Sequence, residues 1–341
     1  MKTNYFVSAL ALFLLLIFLA VWFGMLLLDK PIENDIIKPP SIDPPAALAA
    51  SQSNEPMPES EATPIAVEYL SSSDESVPEP EISFSISATE TYPGEYLVLY
   101  AYGNIDASQI TVSSPFSRDP VFFEQGEHLA ALYPIKYTYE PGEYTLTLSA
   151  EDISEQFVIT LLSKQWQTQA LTVDGEVVNN TIESNSANEE YNDKVAPKKN
   201  LFEAQPLWQG SFIQPVAGRI TTEFGMLRTV NGVPSDRHGG VDIAAARGTE
   251  IAASNSGKVI FADHIALTGN TICIEHGMGL KTWYYHMDQL AVSEGESVVK
   301  GQKIGEVGST GFSTGPHLHW AASVFNVYVN PWTLVEAEPK I

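Results

Sequence analysis

The histidines of this 341-residue chain are concentrated in its last part, where six of the seven follow residue 203. Four of them lie in three short segments, 237–242, 284–287 and 315–320. Residues two apart in a strand point to the same face, so His317 and His319 would be neighbours on one side of a sheet. Such a pair suits a metal ligand and its catalytic partner.

His238 and Asp242 form a second pair, four residues apart. A helix would bring them together, but Gly239, Gly240 and Val241 disfavour a helix there. In a fully extended chain the two residues would lie roughly 13 Å apart, too far to share an ion with bond lengths near 2 Å. We therefore predict that the glycines let the chain turn until both side chains converge. With a further histidine they would supply three protein ligands, and a fourth position open to water is typical of a catalytic zinc site.

From about Pro206 to Trp332 the chain resembles the lysostaphin/LytM-type zinc endopeptidases, which cleave peptide bonds in bacterial peptidoglycan. Three family motifs carry the resemblance, and in chain order they are His-x-x-x-Asp at His238 and Asp242, a single middle histidine at His286, and His-x-His at His317 and His319. The flanking stretches 224–225, 239–243, 308–311 and 315–320 are also similar to the family. The resemblance implies a LytM-type antiparallel β domain with Zn²⁺ as its cofactor.

The resemblance also implies a role for each of these residues. His238, Asp242 and His319 would be the zinc ligands, while His286 and His317 would stand unligated beside the metal. Hydrolysis of an amide needs a base for the attacking water and a donor for the developing oxyanion. No His-Glu-x-x-His motif supplies a glutamate base in this sequence. We therefore expect His317 to be the base and His286 to stabilise the oxyanion, although the two roles could exchange.

Other residues of the same types have ordinary structural interpretations. We expect a satisfied core or surface position for the remaining histidines, which are His128, His264 and His276. Cys273 lies between two isoleucines and is predicted to be a buried small hydrophobe. Two further groups stay undecided: Arg228 and Arg237 could bind acidic substrate groups or face solvent, and Tyr284, Tyr285 and Trp320 could line a peptide groove or fill the core.

Composition excludes several classes of protein. The chain has 42 acidic and 18 basic side chains and a formal net charge of −24, whereas contacts to nucleic-acid phosphates need basic side chains. One cysteine cannot form an intrachain disulfide framework or a multi-cysteine zinc module. If a metal is bound, histidine and carboxylate must hold it.

The N-terminal segment predicts a membrane anchor. Residues 6–28 form an unbroken run of 23 uncharged, mostly apolar residues. As a helix it would span roughly 34 Å at about 1.5 Å per residue, enough for a bilayer core. A cleavable signal peptide would have a shorter apolar stretch and a small-residue cleavage site. We therefore expect a transmembrane anchor at 1–30, followed at 31–80 by a disordered linker rich in proline, serine and acidic residues.

The rest of the chain is predicted to be mostly β. Residues 81–164 contain short β-like runs separated by turn signals such as Pro93-Gly94 and Pro141-Gly142, which is typical of an immunoglobulin-like β-sandwich. We interpret it as a spacing, binding or masking module. Residues 165–203 form a polar connecting segment, with a strand or hairpin expected around 171–178. Residues 204–341 alternate in short β-branched and glycine-rich segments and predict a second, antiparallel β domain.

Together these features predict a membrane-anchored, extracytoplasmic zinc endopeptidase that hydrolyses stem or cross-bridge peptides of peptidoglycan. Its partners would be peptidoglycan peptides and, through the N-terminal helix, the membrane. It would be a single-pass protein of the cell membrane, with the C-terminal domains on the cell-wall side. Two alternatives remain: a LytM-domain scaffold or activator that binds peptidoglycan or a partner hydrolase without cleaving, and a zinc-bearing component of a cell-cell junction.

Overall fold

The computed structural model describes residues 81–116 and 118–341, all of which belong to one compact unit. The anchor predicted at 1–30 and the linker predicted at 31–80 lie outside the described residues. Within the described ranges, no helix is both long and apolar enough to cross a membrane. The structure is dominated by β strands, in agreement with the mostly β fold predicted from the sequence.

Two four-stranded sheets form the N-terminal region and enclose one hydrophobic core. In chain order their strands are β1 (Ser83–Ile86), β2 (Glu90–Thr91), β3 (Tyr96–Tyr102), β4 (Thr111–Ser113), β5 (Phe123–Gln125), β6 (His128–Pro134), β7 (Gly142–Ala150) and β8 (Ile153–Leu161), with a 3-10 turn at Ala107–Gln109. The first sheet has the order β1-β3-β6-β5 and the second the order β2-β8-β7-β4. Residues 81–164 therefore form a two-layer β structure, whose assignment to the immunoglobulin-like class stays a prediction.

Strand β3 is buried on both of its faces. Leu99 points into the core between the two sheets, whereas Val98 points outward. The outward side chains of the first sheet join apolar side chains of the C-terminal region in a shared cluster, whose buried members are Val98, Phe123, Ala130, Leu132, Trp208, Phe212, Met278, Leu280, Ala322, Val324, Phe325, Val329 and Leu334. The first sheet thus packs directly against the C-terminal region.

The segment between the two β regions has more structure than its polar composition suggests. It contains strand β9 (Thr168–Leu171), helix α1 (Gly175–Asn180), helix α2 (Asn185–Lys194) and a 3-10 helix (Ala196–Asn200). The strand or hairpin predicted around 171–178 is wrong, because the strand ends at Leu171 and residues from 175 are helical. The physical reason is a helix cap: the Asp174 side chain accepts a hydrogen bond from the backbone N–H of Glu176 at 2.8 Å.

Most strands of the C-terminal region form one ten-stranded antiparallel sheet. The elements are β10 (Arg219–Thr222), β11 (Leu227–Val230), β12 (Val233–Ser235), β13 (Val241–Ala244), β14 (Glu250–Ala252), β15 (Gly257–Ile265), β16 (Gly269–Glu275), β17 (Leu280–Leu290), β18 (Ser297–Val298), β19 (Lys303–Val307), β20 (His317–Val324), β21 (Val327–Val329) and helix α3 (Pro331–Glu336). The main path of the sheet is β10-β13-β20-β17-β16-β15-β18, and β14, β19 and β21 pair outside it. A small second sheet has the order β12-β11-β9, so the segment before this region contributes a strand to it.

Replacing Leu132 with alanine should destabilise both β regions together. Leu132 is 1% exposed and lies in the shared cluster, so the substitution leaves a cavity between the two regions. We expect the free energy of unfolding to fall by about 2–5 kcal/mol, measured by denaturant titration. The matched control is Val158→Ala, because Val158 is 51% exposed on β8. Equal stabilities of the two variants would contradict the packing of the first sheet against the C-terminal region.

Candidate metal and catalytic site

Three adjacent strands, β13, β20 and β17, position the predicted site residues. In the β13–β20 ladder Asp242 lies directly opposite His319, and His317 lies two residues along the same strand. In the β17–β20 ladder Tyr285 lies opposite His319, and His286 is the next residue along β17. Cross-strand partners and residues two apart share one face of a sheet, so Asp242, His317 and His319 lie on one side. Regular alternation would put His286 on the opposite side, so its position needs a separate explanation.

Three atoms from different parts of this region form a donor triangle: Nε2 of His238, Oδ1 of Asp242 and Nδ1 of His319. Nε2 of His238 lies 2.9 Å from Oδ1 of Asp242 and 2.8 Å from Nδ1 of His319. Oδ1 of Asp242 and Nδ1 of His319 are 2.8 Å apart. Atoms this close could share one ion at zinc bond lengths of about 2.0–2.2 Å. Two imidazole nitrogens and one carboxylate oxygen are also ligands that suit zinc.

The protonation states of the three donor residues also suit metal binding. Nδ1 of His238 lies 2.9 Å from the carbonyl oxygen of Glu223, which can only accept, so the lone pair is at Nε2. Burial alone would raise the pKa of Asp242, but the imidazole nitrogens of His238 and His319, 2.8–2.9 Å from its Oδ1, outweigh burial and hold that pKa well below its ordinary value. Burial lowers the pKa of His319 to about 4. At neutral pH the carboxylate is therefore ionised and His319 neutral, as metal ligands must be.

The two glycines after His238 allow its side chain to approach that of Asp242. His238 and Asp242 are four residues apart, yet their side chains touch at 2.9 Å. At Gly240 a Cβ atom would lie 2.5 Å from the carbonyl oxygen of Trp320 and 2.7 Å from Nε2 of His319. Any larger residue at this position would push β13 away from β20 and open the triangle.

His286 occupies an irregular position in β17. Its φ of +62° lies in the left-handed region, which residues other than glycine rarely adopt. Tyr284 and Met287 are three residues apart, yet both point into the same core cluster, so one extra residue is inserted between them as in a β-bulge. The insertion turns the side chain of His286 into the cleft described below. Backbone conformations of this kind cost about 1–3 kcal/mol and are concentrated at functional sites.

The two histidines outside the triangle have the same tautomer. Nδ1 of His286 lies 2.8 Å from the carbonyl oxygen of Thr310, and Nδ1 of His317 lies 2.7 Å from that of Gly315. Because a carbonyl can only accept, both Nδ1 atoms carry the proton and each neutral ring has a lone pair at Nε2. Nε2 of His317 lies 3.8 Å from Oδ1 of Asp242, so its lone pair is beside the triangle.

The protonation of His286 limits what it can do. Burial, reinforced by the neighbouring His317 and His319, lowers the pKa of His286 to about 3, so the ring is neutral at pH 7. The neutral ring can accept a hydrogen bond or a proton at Nε2. It can donate at that atom, as an oxyanion stabiliser must, only after it has taken up a proton.

Four of the five predicted site residues line one cleft with a volume of about 410 Å³, and His238 lies buried behind them. A cleft of this size is in the usual range for ligand sites. Its walls combine apolar and hydroxyl side chains, namely Leu171, Leu267, Phe312, Pro316, Thr221, Thr222, Thr268, Ser313 and Thr314. Tyr285 also lines the cleft and stacks on the ring of His319, with centroids 5.2 Å apart.

The residues with ordinary interpretations lie away from this cleft. His264 is exposed and contacts Asn270, His276 is buried and contacts the carbonyl oxygen of Ser256, and His128 packs against two tyrosine rings. Cys273 is fully buried, as predicted, and burial raises the pKa of its thiol well above the ordinary value. Tyr284 and Trp320 are core residues with no exposed surface.

The two undecided arginines have different surroundings. Arg237 donates a hydrogen bond to the carbonyl oxygen of Tyr137 at 3.1 Å. Arg228 donates from Nη2 to Oδ2 of Asp242 at 2.8 Å and from Nε to Oε1 of Gln169 at 3.0 Å. Sequence reasoning did not identify Gln169, because its strand comes from the segment before the C-terminal region and no motif marks it.

A comparison with protein families matches residues 236–331 to the family described as peptidase family M23. The matched range contains all five predicted site residues. It begins after Gln169 and Arg228, so both of these residues lie outside the match.

Curated relatives match the chain over part of its length. The DD-carboxypeptidase/endopeptidase Mpg of Neisseria meningitidis is 36% identical over 153 residues, which are 43% of this chain and 32% of the relative. The peptidoglycan DD-endopeptidase ShyB of Vibrio cholerae is 42% identical over 89 residues, which are 26% of this chain and 21% of the relative. The chain thus spans about a third or less of the length of these relatives.

Solved structures include similar chains. A putative peptidase M23 from Pseudomonas aeruginosa is 24% identical with a TM-score of 0.50, and the alignment covers 72% of this chain and 95% of that one. The catalytic domain of the antimicrobial peptidase lysostaphin from Staphylococcus simulans is 32% identical with a TM-score of 0.33, over 35% of this chain and 92% of that one. The first likeness shows a fold shared over most of the chain.

Proposed function

We propose that this chain is a zinc endopeptidase that hydrolyses stem or cross-bridge peptides of peptidoglycan, because its residues 236–331 match peptidase family M23. The observation that carries this proposal is the meeting of a His/Asp/His donor triangle and two further histidines at one cleft. The curated relatives named as a DD-endopeptidase and a DD-carboxypeptidase/endopeptidase support the choice of substrate.

In this proposal zinc is held by Nε2 of His238, Oδ1 of Asp242 and Nδ1 of His319. An ion at such a site supplies Lewis acidity, which polarises a peptide carbonyl and makes water more acidic. The chain itself fixes the ligands: the carbonyl of Glu223 holds the ring of His238, and the β13–β20 ladder holds the other two residues together.

His317 is the proposed general base. The bond from Nδ1–H to the carbonyl of Gly315 leaves the lone pair of the neutral ring at Nε2, next to the triangle. That atom can take a proton from the attacking water and later deliver it to the leaving amine. No rotation of the ring is needed between the two transfers, because the same nitrogen serves both.

For His286 we propose a role that depends on its protonation. While neutral, the ring accepts a hydrogen bond at Nε2 and can orient the attacking water. As negative charge develops on the substrate oxygen, the ring can take up a proton from solvent at Nε2 and donate it in a hydrogen bond to the oxyanion, and it returns that proton to solvent when the intermediate collapses. The assignment of base and oxyanion donor to His317 and His286 could still exchange, since both rings have a lone pair at Nε2.

We further propose that residues 6–28 anchor the protein in the cell membrane, with the C-terminal regions on the cell-wall side. The length and apolar composition of that run support the anchor, and the position of peptidoglycan outside the membrane supports the orientation. The linker at 31–80 would let the C-terminal regions extend away from the membrane. The β region at 81–164, which we propose to be immunoglobulin-like, shares a cluster with the C-terminal region and would move with it.

The full chain incubated with purified sacculi from several bacteria should release peptides with new termini, read by mass spectrometry. Chelation of zinc should abolish the release and added zinc should restore it, because the ligands remain in place. Zinc is quantified in the same sample, so that a protein without zinc can be distinguished from a zinc-loaded protein without activity. Zinc-loaded protein that releases no peptide from any sacculus would contradict the proposal and favour a scaffold or a junction component.

A further inference from the structure

The donor triangle is held by Arg228, a side chain that lines the same cleft but lies outside the M23 match. Asp242 has Oδ1 in the triangle, and its other oxygen, Oδ2, accepts a hydrogen bond from Nη2 of Arg228 at 2.8 Å. The side chains are 18% and 9% exposed for Arg228 and Asp242, so water competes little for this ion pair. The guanidinium therefore determines which oxygen of the carboxylate is left to face His238 and His319.

Arg228 is itself held by Gln169. Nε of Arg228 donates to Oε1 of Gln169 at 3.0 Å, and Nε2 of Gln169 donates to Oγ1 of Thr222 at 2.8 Å. Thr222 is buried and pairs with Asp242 in the β10–β13 ladder. Both the oxygen and the nitrogen of the Gln169 amide are therefore hydrogen-bonded. The contacts run from Asp242 through Arg228, Gln169 and Thr222 back to Asp242.

The backbone around Gln169 is attached to the C-terminal region on both sides. Strand β9 pairs in parallel with β11, with Gln169 as the partner of Arg228. The backbone N–H of Leu227 donates to the carbonyl of Gln167, and that of Asn231 donates to the carbonyl of Leu171, each at 2.9 Å. The position of Gln169 thus follows from the strand pairing and does not depend on its own side chain.

Trp166 secures the start of the same strand. Its ring covers Gly225, where a Cβ atom would come within 2.0 Å of the ring, and φ of Gly225 is +79°. The guanidinium of Arg237 lies 5.3 Å from the centroid of the same ring. A substitution of Gln169 should therefore leave β9 in place and change only the side-chain contacts.

We propose that Gln169 is a positioning residue of the metal site, which acts through Arg228. By holding the guanidinium against Oδ2 of Asp242, it keeps Oδ1 aimed at His238 and His319. Gln169 lies 67 residues before the M23 match begins, so the site is completed by the segment that precedes the domain. The inference rests on the proposed zinc site but not on peptide cleavage, so zinc affinity tests it even in a protein without peptidase activity.

The test measures the zinc dissociation constant of the full chain by competition with a chromogenic chelator. Arg228→Met should weaken zinc binding by about 10–100-fold and Gln169→Met by about tenfold, the range for residues that support metal ligands. Gln169→Glu keeps an acceptor for Nε of Arg228 and should stay within about threefold of the wild type. The matched control is Gln167→Met, because Gln167 is exposed and only its backbone contacts β11.

The double variant separates positioning from a general structural role. If Gln169 acts through Arg228, Gln169→Met should add less than about twofold in the Arg228→Met background. Full additivity, or a zinc affinity of Gln169→Met equal to that of Gln167→Met, would overturn the proposal. Should Gln169→Met not fold, Thr222→Val removes only the acceptor of the Gln169 amide and must weaken zinc binding in the wild type but not in Arg228→Met.

Discussion

Asparagine in place of Asp242 should leave the protein without zinc under conditions that load the wild type, and without peptidase activity. The substitution keeps the shape of the side chain but removes the one negative charge of the donor triangle, leaving a neutral amide oxygen between His238 and His319. It also leaves the charge of Arg228 without its partner, close to the metal position. We expect zinc affinity to fall by more than about 100-fold, beyond the range for residues that only support a ligand.

Metal content of the purified variant, measured by elemental analysis, and release of peptides from sacculi check this result. Asp236→Asn is the matched control, because Asp236 is exposed and lies only two residues before His238. It should bind zinc and cleave as the wild type does. Stoichiometric zinc in Asp242→Asn would contradict the assignment of Asp242 as a ligand and would require another donor in its place.

The sequence predicted the parts of the site that follow from strand periodicity. His317 and His319 lie on one face because residues two apart in a strand always do, and β20 obeys that rule without interruption. The turn after His238 was also predictable, since two glycines between residues of a possible site allow an approach that larger residues prevent. Both inferences use only short-range geometry, which is why one sequence was enough for them.

Features that depend on distant contacts were not predictable in this way. His286 faces the cleft because β17 has an inserted residue, and no residue type around it signals a bulge. The sequence predicted a strand or hairpin around 171–178, yet the cap at Asp174 starts a helix. Gln169 reaches the site only through the pairing of β9 with β11, which joins residues about 60 positions apart and which no short motif encodes.

Alanine in place of His317 should separate chemistry from metal binding. His317 contributes no atom to the donor triangle, so the variant should keep its zinc while the rate of cleavage falls by about 10²–10⁴-fold, the usual contribution of a general base. Metal content and release of peptides from sacculi are measured as for Asp242→Asn, and kcat is determined on a soluble peptidoglycan peptide. His264→Ala is the matched control, because His264 is exposed and lies outside the cleft.

The pH profile then decides between the two histidines. The acid limb of kcat/KM reports protonation of the essential base, so the residual activity of His317→Ala should lose that limb and His286→Ala should keep it. The opposite pattern would assign the base to His286, whose pKa of about 3 would place the limb far below neutrality. Loss of zinc in His317→Ala would contradict both assignments, because it would make His317 part of the metal site. Retained zinc with a lost acid limb is the result expected from a lone pair fixed at Nε2 by the carbonyl of Gly315.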